Sequence, residues 1–249
     1  MTGDPRPILL RLVPRMRPHL AFVAILALAP ATLRGQVAPL RGAVRLDSTT
    51  ALEPKNARVL WVEYLGRRAL KLAPLVGHER DTNQEMEVAL TQSDFRNGVI
   101  QLDVSGARRG GYRKAEDITG FKGMIGVTFR LHGDSAERIY VRPENARSSL
   151  QLFRNFTTQY ESSPDFPWDR LRRENQGVYE SYVDMESGAW VRLRIEVSGA
   201  KARLYVNGAS QPCLIVNDLK HGDSHGKVAL WARISTDAYF SNLRIDPTR

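Results

Sequence analysis

Two carboxylates spaced four residues apart, Glu180 and Asp184, lie in the segment Tyr179-Glu180-Ser181-Tyr182-Val183-Asp184. On a β-strand, side chains alternate between faces with a period of two, so Glu180, Tyr182 and Asp184 would share one face there. Such a strip suits a sugar: an aromatic ring stacks on the apolar face of a pyranose, and carboxylates take hydrogen bonds from hydroxyls. Paired carboxyl groups are also what glycosidic cleavage needs, one to donate a proton and one to attack or to activate water. Glu180 and Asp184 are therefore the candidate catalytic residues, and Tyr182 is a candidate ligand contact.

Other polar residues could complete the site. Arg142 ends an extended run at Pro143 and is followed by Glu144 and Asn145. The junction of strand and loop is a common place for binding residues. Gln159 and Tyr160 form a second polar set, and Trp168 could cap a cleft from the segment that follows. Arg142 would orient a substrate if the site is catalytic.

The residues argue against several other chemistries. Cys213 is the only cysteine, which rules out an intramolecular disulfide. It stands in the apolar run Cys213-Leu214-Ile215-Val216 and reads as a small hydrophobe, not a nucleophile. His78, His132, His221 and His225 are scattered, and His221-x-x-x-His225 crosses Gly222 on what reads as a turn, so no zinc motif is visible. No cofactor is expected. Calcium held through backbone carbonyls and one Asp stays compatible with this residue set.

The formal net charge is +9. Residues 1–35 hold five arginines against one aspartate, and the remaining +5 is spread over interspersed charges with no basic run carrying interleaved aromatics. Nucleic acid is therefore not the expected partner. Arg6, Arg11, Arg15 and Arg17 precede an apolar stretch from Leu20 to Ala31, broken only by Pro30. That is the pattern of a secretory signal peptide, too short to span a bilayer, which takes about 20 residues. Cleavage is expected after Ala31 or after Gly35. The mature chain would be secreted or periplasmic, with no membrane partner once the signal is removed. Residues 36–57 read as an N-terminal extension and 58–249 as one domain.

The elements that must position these residues are strands. Val59–Tyr64 and Ala69–Leu72 form a hairpin signal, Asn97-Gly98 a turn signal, and Val99–Val104, Met124–Arg130 and Arg138–Arg142 further extended runs. Trp190-Val191-Arg192-Leu193-Arg194-Ile195-Glu196-Val197 alternates apolar and charged residues, which describes a half-buried strand with one wet face. Strands at Ala202–Val206, Cys213–Val216, Lys227–Trp231 and Tyr239–Ile245 follow. Trp61, Trp190 and Trp231 alternate with core residues and are expected in the core. The polar, aromatic stretch from Phe153 to Gly177 interrupts this pattern, and Pro167 with Asp165 or Ser163 as a cap predicts a short helix over 169–174.

The closing series Trp190-x-x-Leu193-x-Ile195-x-Val197, Ala202–Gly208, Gly226–Trp231 and Ala238–Ile245 resembles the last strands of concanavalin A-like, laminin-G-like jelly rolls. Phe95–Val104 and Gly123–Arg130 are similar to earlier strands of that group. Within it, the chain looks most like the secreted bacterial domains named for 3-keto-disaccharide hydrolases, although their Asn-Ser-Gly-Ile opening has no counterpart here. The resemblance implies an all-β, two-sheet antiparallel sandwich with one short helical insertion and a concave face open to glycans. Laminarinase-like relatives carry Glu-x-Asp-x-x-Glu on one strand, whereas Gln101-Leu102-Asp103-Val104-Ser105-Gly106 keeps a single acid. The leading expectation is an exported carbohydrate-recognition domain acting on polysaccharide or glycoconjugate. A glycoside hydrolase or lyase of the 3-keto-disaccharide type is the first alternative, and an extracellular protein-interaction domain without a sugar ligand is the second.

Overall fold

The computed structural model describes residues 40–81, 84–110 and 122–248, and the expected signal peptide lies outside them. In chain order the strands are β1 (Gly42–Ala43), β2 (Leu52–Lys55), β3 (Ala57–Tyr64), β4 (Arg67–Pro74), β5 (Glu85–Leu90), β6 (Asn97–Arg108), β7 (Ile125–His132) and β8 (Ser135–Val141). Helices α1 (Pro143–Ala146) and α2 (Gln151–Asn155) lead to β9 (Thr158–Ser163), α3 (Trp168–Glu174) and β10 (Glu180–Ser181). The chain closes with β11 (Val191–Ser198), β12 (Lys201–Val206), β13 (Leu214–Val216), β14 (Lys227–Arg233) and β15 (Thr236–Thr248).

These strands make two antiparallel sheets. One runs β13-β12-β11-β6-β15-β4-β3 with β1 added beside β15, and the other runs β10-β9-β8-β7-β14-β5-β2. The fold is thus an all-β jelly-roll sandwich, as its alternation predicts, and two one-turn helices join the expected α3. Residues 42–43 and 52–55, in the segment expected to be an N-terminal extension, add a strand to each sheet.

Period-two burial sets the core. On β11, Leu193, Ile195 and Val197 point between the sheets, while Arg192, Arg194 and Glu196 face out. Ile100, Leu102 and Val104 of β6 and Ile125, Val127 and Phe129 of β7 join them. The β3–β4 hairpin closes through Leu65-Gly66, both at positive φ, the geometry of a two-residue turn that matches strand twist. Asn97-Gly98, expected to be a turn, instead opens β6, where Gly98 lies so close to β15 that a Cβ would stand 2.1 Å from the Asp246 carbonyl oxygen.

Two bulges change the phase of a strand. In β15 the register shifts between Ser241 and Arg244, so Ala238 and Phe240 are followed inward by Leu243 and Ile245, and Asn242 sits at φ +51°. In β7 it shifts between Phe129 and His132, and Arg130, at φ +55°, turns its side chain into the protein. Bulges re-aim side chains in this way. The buried Arg130 guanidinium donates to the carbonyls of Arg96, Gly199 and Gly222 and to Asn97 Oδ1, fastening three loops at one end of the sandwich.

Candidate functional site

The outward residues of the seven-stranded sheet form a connected polar surface. On β5, Met86, Val88 and Leu90 enter the core and leave Glu85 and Glu87 outside. On β8, Ile139 and Val141 enter the core and leave Arg138 and Tyr140 outside, and Trp231 of β14 is outward between Leu230 and Ala232. The strand between β8 and β14 offers only Gly126 and Thr128 on this face, and their small size lets long side chains meet across it. Gly126 pairs with both Tyr140 and Trp231, whose ring centres approach to 4.8 Å, and a Cβ there would stand 2.5 Å from that of Tyr140.

At the centre lies Arg138, its side chain 8% exposed. Its Nη1 donates to Glu161 at 2.6 Å and to Glu85 at 2.9 Å, its Nη2 reaches Glu87 at 3.4 Å, and its Nε donates to Thr128 Oγ1 at 3.1 Å. The Thr128 hydroxyl in turn donates to Glu87 at 2.7 Å. The guanidinium lies 4.5 Å from the centre of the Trp231 ring, and the indole N–H donates to Glu85 at 2.9 Å. Burial works against the charge of Arg138, but Glu161, Glu85 and Glu87 overcome it and raise its pKa above the ordinary value. For Glu85, burial raises the carboxyl, and Arg138, Arg233 and the indole N–H together bring it below its usual range. Glu85 keeps 35% of its side chain in water and borders, with Lys55, Asn56, Gln84, Glu87 and Arg138, a cavity of about 270 Å³.

Tyr140 joins this cluster to a second one. Its hydroxyl stands 3.5 Å from Glu161 and accepts from Arg142 Nη2 at 3.0 Å. Arg142 also donates to Gln159 Oε1 at 3.1 Å and to the Phe156 carbonyl at 2.9 Å, and its Nη1 stands 3.9 Å from Glu180. Glu180 accepts from Arg172 of α3, whose Nε is 3.0 Å from each carboxylate oxygen. The Arg172 guanidinium is held between Phe156, at 3.8 Å, and Trp168, at 4.7 Å. Among the sequence candidates, Arg142, Gln159 and Glu180 therefore meet, and Trp168 touches them through Arg172. Asn145 is next to them, donating to the same Phe156 carbonyl at 3.2 Å.

The remaining candidates lie elsewhere. Tyr160 faces the opposite way from its neighbour Gln159, into the core, where its hydroxyl donates to Glu137 at 2.7 Å; burial, with Glu137, raises its pKa. Glu144 turns toward Ser187 and the backbone of Arg108. Strand β10 ends at Ser181, so the face proposed for Glu180, Tyr182 and Asp184 does not form. Asp184 is exposed and paired with Arg147, and Tyr182 is exposed too. Glu180 and Asp184 therefore do not act as a pair on one strand.

Three other expectations also change. Trp231 is buried on the outer face of its sheet and not between the sheets, Trp61 is 39% exposed, and Trp190 is half-buried under Arg67. Helix α3 is capped by Pro167 with no side-chain cap, so neither Asp165 nor Ser163 fills that role. Cys213 is inert packing: burial pushes its thiol up to about 11, and its Sγ contacts the Leu204 carbonyl. Among the described residues no three His, Cys, Asp or Glu side chains gather as metal ligands.

No protein-family model matches the chain, and no curated protein matches it. Among solved structures, carbohydrate binding module CBM66 from Bacillus subtilis superposes with a TM-score of 0.50 at 12% identity, covering 78% of this chain and 94% of that one. A Bacillus subtilis protein with a galectin-like fold gives 0.49 at 11% identity, covering 78% and 87%. At such identity the likeness is one of fold.

Proposed function

We propose that this chain is an exported carbohydrate-recognition domain that takes uncharged sugar units on the outer face of the seven-stranded sheet. The observation that carries the reading is the gathering of Glu85, Glu87 and Glu161 on Arg138 beside the Trp231 indole. The central cation is buried and a carboxylate partner, Glu85, reaches water, so the face offers acceptors already fixed in place, which is what hydroxyl groups need. That the fold is shared with a carbohydrate binding module agrees with this. Binding is favoured over cleavage because Glu85, Glu87, Glu161 and Glu180 are all tied to guanidinium groups.

A glycan array on the full chain is expected to return neutral oligosaccharides, and Glu85→Gln, which keeps the shape and loses the charge, should weaken any hit about tenfold. An array with no neutral hit, or a variant that binds like the parent, would reject the reading. Export has its own check: protein recovered from the periplasm or medium should begin at Thr32 or Gln36.

A further inference from the structure

The eight-stranded sheet turns a pocket of about 230 Å³ toward solvent, lined by Arg67, Asp103, Trp190, Arg192, Asn207 and Gly208. At its floor the Asp103 carboxylate, 3% exposed, accepts from Arg67 Nη1 at 2.7 Å, Arg192 Nε at 2.9 Å and Asn242 Nδ2 at 2.7 Å. Arg67 and Arg192 approach it from β4 and β11 and keep 40% and 52% of their side chains in water. One carboxylate between two guanidinium groups leaves a positive charge, and most of their N–H donors stay directed elsewhere. Arg67 is braced again by the Trp190 ring, 5.3 Å away; Trp190 meets Tyr64 edge-on, and Tyr64 stacks on Tyr239 at 3.8 Å. All three rings are half-buried, and Trp190 Nε1 is a buried donor with no hydrogen-bond partner among the described residues.

The charge of the whole sheet points the same way. Its strands hold ten basic and five acidic residues, while those of the other sheet hold five and six. The excess of +5 outside residues 1–35 is thus matched by this one sheet.

We infer that this pocket is an anion-binding subsite that takes a carboxylate or sulfate group carried on an acidic polysaccharide. Two guanidinium groups set in place by a buried carboxylate offer an oxyanion parallel donors with little side-chain ordering left to do. The pocket is smaller than the roughly 300–1,000 Å³ of sites that enclose a whole small ligand. It therefore holds one acidic group while the rest of the chain lies along the sheet, past the half-buried edges of the stacked Tyr64 and Tyr239. Nucleic acid needs a longer basic track, and here Lys71 and Arg109 are drawn to Asp237, and Arg194 to Glu196.

The test is calorimetric titration of the full chain with oligogalacturonate, with dextran sulfate and with neutral dextran, and with polyglutamate and single-stranded DNA as contrasting polyanions. Oligogalacturonate, dextran sulfate or both should bind, and the one that does identifies the acidic group. Arg192→Gln should weaken that binding about tenfold or more, and Arg192→Lys should restore only part of it, since lysine keeps the charge and loses the fork. Arg67→Gln should act in the same direction, and if it fails to fold, Arg192→Gln, half exposed, carries the test alone. Binding unchanged in Arg192→Gln, or absent from the parent chain, overturns the subsite. Polyglutamate or DNA binding as tightly, with the same response to Arg192→Gln, overturns the glycan assignment. Neutral-glycan binding at the opposite sheet should be untouched by Arg192→Gln, so the two proposals fail separately.

Discussion

The outer faces of the two sheets are built on one plan with the signs exchanged. On the seven-stranded sheet a buried cation, Arg138, is enclosed by carboxylates; on the eight-stranded sheet a buried anion, Asp103, is enclosed by two guanidinium groups and an amide. In each case the central group is hidden and a partner reaches water. One face therefore shows the solvent acceptors and the other shows it donors. The two faces also differ in openness: Glu87 and Glu161 are 11% and 8% exposed, with Glu85 alone at 35%, whereas Arg67 and Arg192 keep 40% and 52% of their side chains in water.

Deleting the two centres should expose that difference. Arg138→Met leaves Glu87 and Glu161 with little water and only Glu85 open to it, and breaking a buried pair from one side costs about 3–5 kcal/mol. Asp103→Asn leaves Arg67 and Arg192 free to turn outward, and the loss should stay at roughly 1.5–3 kcal/mol, the range for a hydrogen bond to a charged group. Urea unfolding of both variants measures this directly, and equal losses would erase the distinction between the faces.

Acid titration sharpens the same contrast. Desolvation raises the carboxyls of the partly enclosed Glu85 and the buried Asp103, and both are brought below their ordinary values of 4.5 and 3.8 by their partners, Arg138 and Arg233 for one and Arg192, Asn242 and Arg67 for the other. A carboxylate depressed in the folded state adds stability that is complete above its unfolded pKa and disappears as pH falls through the folded one. The wild-type protein should therefore hold its melting temperature down to about pH 5 and lose it below. Asp103→Asn and Arg138→Met should each flatten that acid limb, and an unchanged limb in both would place the acid sensitivity elsewhere.

The fold was legible because β11 alternates strictly and β6 does so from Ile100 to Ser105, and one wet face fixes the phase of a strand. Trp231 was misplaced because Val228-Ala229-Leu230-Trp231-Ala232 is apolar on both faces and carries no phase. Tyr160 illustrates the opposite error: neighbours on a strand point to opposite faces, so Gln159 and Tyr160 could not both serve one surface. The cluster on Arg138 did have a signal. Glu85-Met86-Glu87-Val88 and Arg138-Ile139-Tyr140-Val141-Arg142 alternate charge with core residues, and reading all of their outward positions would have named it. The bulges were not readable, since a register shift at Asn242 or Arg130 depends on the partner strand.

The smallest effect belongs to the acid that sequence spacing had paired with Glu180. Asp184 is 62% exposed and faces Arg147, itself 58% exposed, at 3.5 Å. Both groups stay hydrated whether or not they meet, and the pair must order two side chains to form, so its contribution is under about 1 kcal/mol. Asp184→Asn should therefore melt close to the wild-type protein and keep its glycan affinity. Glu180→Gln, by contrast, takes a 2% exposed carboxylate away from Arg172 and Arg142 and should lower stability measurably. If Asp184→Asn instead abolished binding, the polar surface would have to extend past the end of β10, and the boundary drawn at Ser181 would be wrong.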